Sequence, residues 1–196
     1  MNTKEISHSG RFARSLQRIT FGLPTFLVLG ASLFPLVAQA QSASSPTFHI
    51  NSQRLQGTFE KLAEFGQNPE GAVTRLGFSE TDLAARKYVT GLMKQAGLEV
   101  GIDPVGNFFG LRAGKEKLPI LLFGSHIDSV LDGGNFDGDV GSMGAIEVVR
   151  ALNDGSVKTR HPLEVVIWTN EEGNHFGIGT LGRALRLGLS DLNFSK

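Results

Sequence analysis

The chain has 196 residues, 19 Lys plus Arg balanced by 19 Asp plus Glu, and no cysteine. Residues 1–40 carry four bases and one acid, which leaves the remainder weakly acidic and without basic blocks; that excludes nucleic acid as the main partner, because phosphate binding needs clustered Lys and Arg. The absence of Cys excludes disulfides, thiolate zinc sites and cysteine nucleophiles, so any metal must be held by His, Asp and Glu.

Ile19 to Ala38 is a run of 20 uncharged residues preceded by Arg11, Arg14 and Arg18 and followed by Gln39-Ala40. A basic flank, an apolar core and Ala38-x-Ala40 form the pattern of a secretory signal peptide, which predicts cleavage near Ala40/Gln41 and a periplasmic or secreted mature chain. The competing reading is a retained membrane anchor, since about 20 apolar residues can span a bilayer. Gly22, Pro24, Gly30 and Pro35 make a poor permanent helix, and the polar Gln41–Ser45 stretch favours cleavage, with no stable membrane association afterwards. Residues 1–40 are thus assigned as leader, 41–50 as linker and 51–196 as the folded body.

Residues 51–66 read as a helix capped by Asn51 or Ser52, with Leu55, Phe59 and Leu62 on one face and Gly66 as its stop. A second helix is expected from about Ser79 to Ala96. Ser79 and Asp82 resemble a capping box, Leu83, Val89, Met93 and Ala96 make the stripe, and Gly97 ends it. Leu98–Ile102 and Phe108–Leu111 flank a Gly106-Asn107 turn and predict a hairpin. Pro119–Phe123 is a continuous apolar run, as in a strand covered on both faces, and it leads into Gly124-Ser-His126-Ile-Asp128. A helix from about Val140 to Leu152 follows, then a strand Leu163–Trp168 ending at Thr169-Asn-Glu171-Glu172. Strand, helix, strand is a right-handed βαβ unit by default, so the two strands are expected to be parallel and the chain to be of the α/β class. Both polar clusters then emerge at the carboxyl ends of parallel strands, where open α/β sheets bind ligands.

Between Lys117 and Arg150 lie 32 residues without Lys or Arg that include Asp128, Asp132, Asp137, Asp139 and Glu147. Acids gathered without neutralising side chains repel one another unless a cation sits among them. Taken alone, Asp132 and Asp139 read as members of a solvated loop. His126 does not, because it follows an apolar strand directly and has Asp128 two residues on to orient its imidazole. No register of Asp132 to Glu147 gives a calcium-loop spacing. Nor is there a Gly-x-Ser-x-Gly elbow or a phosphate-binding Gly-rich signature. Imidazole and carboxylates around one crevice suit zinc or manganese. Adjacent Glu171 and Glu172 allow a division of labour, one binding metal and the other handling protons.

Three ordered motifs, Gly124-Ser-His-Ile-Asp-Ser, Gly133-Gly-Asn-Phe-Asp-Gly-Asp-Val-Gly and Thr169-Asn-Glu-Glu-Gly-Asn-His-Phe, resemble those of the N-carbamoyl-L-amino-acid hydrolase / allantoate amidohydrolase family, within the wider clan of dinuclear-zinc aminoacylases and exopeptidases. Asn51-x-x-Arg54-Leu55, Gly71-Ala-Val-Thr-Arg75 and Asp103-x-x-Gly106-Asn107 match as well. The resemblance implies a three-layer α/β/α catalytic domain with a mostly parallel sheet and two divalent metal ions, Zn or Mn. It implies His126 on one metal, Asp137 bridging, Glu172 on the second, Glu171 as general base and Asp128 as partner of His126. It implies hydrolysis of a non-peptide C–N bond in a small N-carbamoyl or allantoate-like substrate; the alternatives are an aminoacylase or dipeptidase of the same clan and a truncated chain without turnover. Members of the family are homodimers that continue through a dimerisation domain and back into the catalytic domain, with further His ligands there. The chain is therefore expected to be the amino-terminal portion only.

Overall fold

The computed structural model describes residues 48–188. The expected leader, its cleavage site and most of the linker lie outside the described residues. Among the described residues no helix is long and apolar enough to cross a membrane.

Helix α1 spans Ser52–Ala63 and is capped by Asn51, whose side chain accepts from the Arg54 N–H at 2.9 Å. Helix α2 spans Glu80–Gln95, with the Ser79 hydroxyl accepting from the Asp82 N–H at 3.2 Å. The return contact is shifted from a capping box: the Asp82 carboxylate accepts from the N–H of Phe78, one residue further out. The buried face of α2 is Ala85, Val89, Leu92 and Met93, and Leu83, expected in that stripe, is 57% exposed. The reason is angular. Leu83 lies six residues before Val89, about 120° around the helix from it, whereas Ala85 lies one turn away.

Strands β1 (Glu99–Ile102) and β2 (Phe108–Arg112) form the expected hairpin, in register from Glu99 with Leu111 to Ile102 with Phe108. Its turn is tied by Asp103, whose carboxylate accepts from the N–H groups of Val105 and Asn107, while Gly106 takes φ +88°. Strand β3 (Leu121–His126), helix α3 (Asp139–Asp154) and strand β4 (Leu163–Trp168) form the βαβ unit, with β3 and β4 parallel. The short helix α4 spans Leu181–Arg186.

The strand order is β1-β2-β4-β3. The α/β class stands, but the sheet of the described residues is mixed and not mostly parallel: β1/β2 and β2/β4 are antiparallel and β3/β4 alone is parallel. A five-residue connection forces β1 and β2 to run oppositely, and β2 then takes the edge of β4 that β3 leaves free. Helices α1, α2 and α3 share one apolar core on one face of the sheet, where Leu62, Val89, Met93, Met143, Ile146 and Val149 meet Phe108, Val165 and Ile167. Each such fully buried side chain stabilises the fold by about 1.5–3 kcal/mol relative to exposure. The next residues along, Phe109 and Trp168, point to the other face and pack edge to face, and Arg186 of α4 lies over the Phe109 ring. Leu121 and Leu122 are exposed, contrary to an expectation of cover on both faces, because β3 is the edge strand of the described sheet.

Candidate metal centre

The parallel register sets His126 opposite Trp168, so the segments leaving β3 and β4 run side by side at the carboxyl edge of the sheet. Asp128, itself buried, ties them together. Its carboxylate accepts from the backbone N–H of Glu171 at 3.2 Å and of Glu172 at 3.1 Å. Asn170, just before the two glutamates, has φ +50°, a left-handed conformation that Asn tolerates better than most residues. The turn it makes lets Asp128 reach both N–H groups.

His126 is buried and held on three sides. The Ser142 hydroxyl of α3 donates to its carbonyl at 2.7 Å. Its ring Nδ1 lies 3.0 Å from the Asp128 carbonyl, and since a carbonyl only accepts, Nδ1 is assigned the proton. Gly138 lies against the ring: a Cβ built there would fall 2.5–2.6 Å from Cε1, Nδ1 and Nε2. The sequence names Asp128 as the residue that orients this imidazole. In the structure the Asp128 carbonyl does so, and its carboxylate, whose Oδ1 is 3.7 Å from Nδ1, serves the Glu171-Glu172 backbone.

With the proton on Nδ1, the neutral form of His126 would present a lone pair at Nε2, and that atom faces carboxylates: Glu171 Oε2 at 3.6 Å and Asp137 Oδ1 at 3.8 Å. Lone pairs pointed at anions at these separations are repulsive, and either a proton on Nε2 or a cation among the three groups relieves that repulsion. His126, Glu171 and Glu172 each offer a ligand atom, and the three atoms lie within 4.8 Å of one another. That donor set, one imidazole and two carboxylates without thiolate, fits a divalent ion of the zinc or manganese kind. Asp137 stands outside this trio, its side chain 78% exposed on the loop before α3. The Glu172 carboxyl is raised, first by burial and then by Asp137, Glu171 and Asp128, with His126 opposing.

The remaining acids separate. Asp132 is exposed, as expected of a loop residue. Asp139, expected to be solvated, is buried at the start of α3 and paired at 2.7 Å with buried Arg75 from the segment between α1 and α2. Burial pushes its carboxyl up to about 6, against the pull of Arg75. Glu147 belongs to another cluster, buried beneath Arg54 at 2.6 Å. Gly138, Asn170 and Arg75 escaped functional notice in the sequence. A glycine just before a helix was a usable signal for Gly138; nothing local distinguishes a buried Arg75 from an exposed one.

A model of Peptidase family M28 matches residues 107–183, which span both strand ends. A ureidoglycolate hydrolase of Oryza sativa subsp. japonica is 40% identical over 152 residues, 77% of this chain and 31% of its own length. An N-carbamoyl-L-amino acid amidohydrolase of Geobacillus stearothermophilus is 42% identical over 134 residues, 68% of this chain and 33% of its own. Among solved structures, an amidase of the hydantoinase/carbamoylase family from Burkholderia multivorans superposes with a TM-score of 0.73 at 39% identity, over 76% of this chain and 36% of that one. The chain thus spans about a third of the length of the curated relatives it matches.

Proposed function

We propose, because this chain belongs to the hydantoinase/carbamoylase family of N-carbamoyl-L-amino-acid amidohydrolases, that it serves metal-dependent hydrolysis of a non-peptide C–N bond in a small ureido acid, of the N-carbamoyl amino acid or ureidoglycolate kind. The observation that carries this is the convergence of His126 Nε2 with the Glu171 and Glu172 carboxylates at the ends of two parallel strands. His126 and Glu172 of that trio would hold the divalent ions together with Asp137 from the loop before α3, two ions as in the family resemblance, and Glu171, which faces the same space, would be left for proton transfer. Such ions supply Lewis acidity for the substrate carbonyl and a lowered pKa for water. Glu171 then takes the proton from the attacking water and passes it to the leaving nitrogen, the general acid–base role. Asp128 holds both glutamates by their backbone, and its carbonyl fixes the His126 tautomer. Export is part of the proposal, supported by the basic flank, the uncharged run and Ala38-Gln39-Ala40. A secreted product beginning at Gln41 on N-terminal sequencing is expected, and one retaining Ile19–Ala38 overturns it.

The test incubates the chain with Zn²⁺ or Mn²⁺ and measures ammonia from N-carbamoyl amino acids and ureidoglycolate, beside cleavage of N-acetyl amino acids and dipeptides. Chelator-sensitive ammonia release is expected. Glu171→Gln should abolish it with metal content intact, and Glu172→Gln should lower metal content first. Loss of metal from Glu171→Gln with Glu172→Gln unaffected would reverse the two roles. The match to Peptidase family M28 favours a second reading, peptide or N-acyl cleavage; preference for the dipeptides would establish it. Metal binding without turnover on any of these substrates would overturn the catalytic reading for this chain.

A further inference from the structure

Arg75 is the bulkiest of the fully buried side chains, 1% exposed, and its guanidinium meets three separate segments of chain. Nε donates to the carbonyl of Ile127, the residue between His126 and Asp128. Nη1 donates to the carbonyls of Leu62 and Phe65, both at 3.0 Å, at the end of α1. Nη2 donates to Asp139 Oδ2 at 2.7 Å, two residues beyond Asp137. The Arg75 backbone repeats the connection to the β3 side: its N–H donates to the Ser129 hydroxyl at 2.9 Å, and its carbonyl accepts from the Ser129 N–H at 3.0 Å. Asp139 passes the constraint on, donating its N–H to the Asp137 carbonyl at 2.7 Å, with Gly138 between them pressed on the His126 ring.

A buried ion pair is a poor way to add stability, because desolvating two charges offsets their attraction, and apolar side chains of the same volume often serve as well. A planar fork of donors does what an apolar side chain cannot: it fixes the relative position of the groups it bonds. Here those groups are the segment bearing His126 and the segment bearing Asp137 and Gly138, with α1 as the fixed support. We infer that Arg75 is a positioning residue for the metal centre, setting the loop before α3 against the end of β3 so that the His126 ring keeps its tautomer and direction. The inference rests on the metal reading above and extends it to a residue that touches neither metal nor substrate.

The experiment uses the full chain and its Arg75→Lys, Arg75→Met and Asp139→Asn variants. Arg54→Met is the control, since it breaks a comparable pairing with buried Glu147 away from the strand ends. Two quantities are read well below the unfolding midpoint: Zn²⁺ affinity by calorimetry, and the imidazole ¹H–¹⁵N correlations of His126 in metal-free protein, which report the tautomer. Folded Arg75→Lys and Asp139→Asn should lose about 10–100-fold in Zn²⁺ affinity, as removal of outer partners of metal ligands does, and should lose the uniform Nδ1–H tautomer. Arg54→Met should lower the unfolding midpoint and leave both readouts as in the wild type. Wild-type affinity and tautomer in both folded variants would overturn the inference, as would an equal loss of affinity in Arg54→Met. If Arg75→Met does not fold, the two conservative variants decide. If the wild type itself fails to bind Zn²⁺, the metal reading falls, and a tautomer change in Arg75→Lys still supports the positioning role.

Discussion

Gly138 lies between Asp137 and the first residue of α3, and two features oppose a side chain there. Its φ is +67°, and a Cβ would come within 2.5–2.6 Å of three atoms of the His126 ring. Gly138→Ala therefore carries two separable costs. The positive-φ backbone alone, φ +67° with ψ −44°, costs an L-residue about 1–3 kcal/mol. The collision falls about 1 Å inside an ordinary carbon contact of ~3.5 Å, and relieving an overlap of that kind in a packed region costs about 1–3 kcal/mol more. Gly97→Ala supplies the reference, since Gly97 has φ +77° with nothing within 4 Å of a built Cβ, so it should lose only the first amount. The assay pairs urea unfolding of both variants with Zn²⁺ calorimetry. Because the ring cannot stay in place beside a methyl group, Gly138→Ala should bind Zn²⁺ at least about tenfold more weakly, and Gly97→Ala should bind it as the wild type does. Equal stability losses in the two variants, with wild-type Zn²⁺ binding in Gly138→Ala, would refute the claim that Gly138 seats the imidazole.

Asp128→Asn replaces one acceptor oxygen by an NH₂ group and leaves the N–H of Glu171 or Glu172 without its partner; hydrogen bonds to charged groups are worth about 1.5–3 kcal/mol, so urea unfolding should show a loss of that order together with weaker Zn²⁺ binding. Leu62→Ala should cost about 2–5 kcal/mol by the same unfolding assay, whereas Leu83→Ala, on the exposed side of α2, should stay within about 0.5 kcal/mol of the wild type. Burial, with Arg86 opposing, raises the Asp82 carboxyl above its ordinary value of 3.8. Between that value and the raised one the folded chain holds a proton that the unfolded chain has released, so this contribution to stability grows as pH falls through the window; the pH dependence of the urea midpoint should flatten there in Asp82→Asn.

Periodicity and local turn chemistry made most elements legible. Asn51 and Ser79 cap their helices because a short side-chain oxygen meets an orphan N–H of the first turn, a matter settled within three residues. The parallel pairing of β3 with β4 was legible too, since one handedness dominates such crossovers. What could not be read is what depends on neighbours distant in sequence. β3 looks like a central strand from its apolar run, yet Leu121 and Leu122 are exposed, because composition reports what a strand can bury and not which neighbours the described chain provides. Asp139 looks like a loop acid, and only the arrival of Arg75 from 64 residues away makes it a buried one. At the metal centre the motifs marked His126, Asp137 and Glu172 as ligands and Glu171 as the base; the structure brings His126, Glu171 and Glu172 together and leaves Asp137 outside that trio. They did not reveal that Asp128 acts through its carboxylate on the Glu171-Glu172 backbone and through its carbonyl on the imidazole.

The division between core and site follows from where polar groups are buried. Away from the strand ends the interior is mostly Leu, Val, Ile, Met, Phe and Ala, which stabilise without specifying direction, with Thr58 and Glu147 among the buried polar exceptions. At the carboxyl edge it changes to Arg75, Asn107, His126, Asp128, Asp139, Ser142, Thr169 and Asn170, all buried. Most of these make directed bonds: the Asn107 side chain accepts from the Thr169 N–H at 3.0 Å and donates to the Gly182 carbonyl at 2.9 Å, pinning the exit of β4 between the hairpin turn and α4. Two are incompletely paired among the described residues. Asp139 Oδ1 and both amide atoms of Asn170 are buried without a partner, each such group costing about 1–3 kcal/mol. Asn170 directly precedes Glu171, and Asp139 lies two residues beyond Asp137. A stretch that tolerates positive-φ backbone at Gly138 and Asn170 together with unpaired buried polar atoms is giving up stability in the same few residues that aim the imidazole and the carboxylates, as expected where a rigid arrangement of ligands outweighs the best local packing.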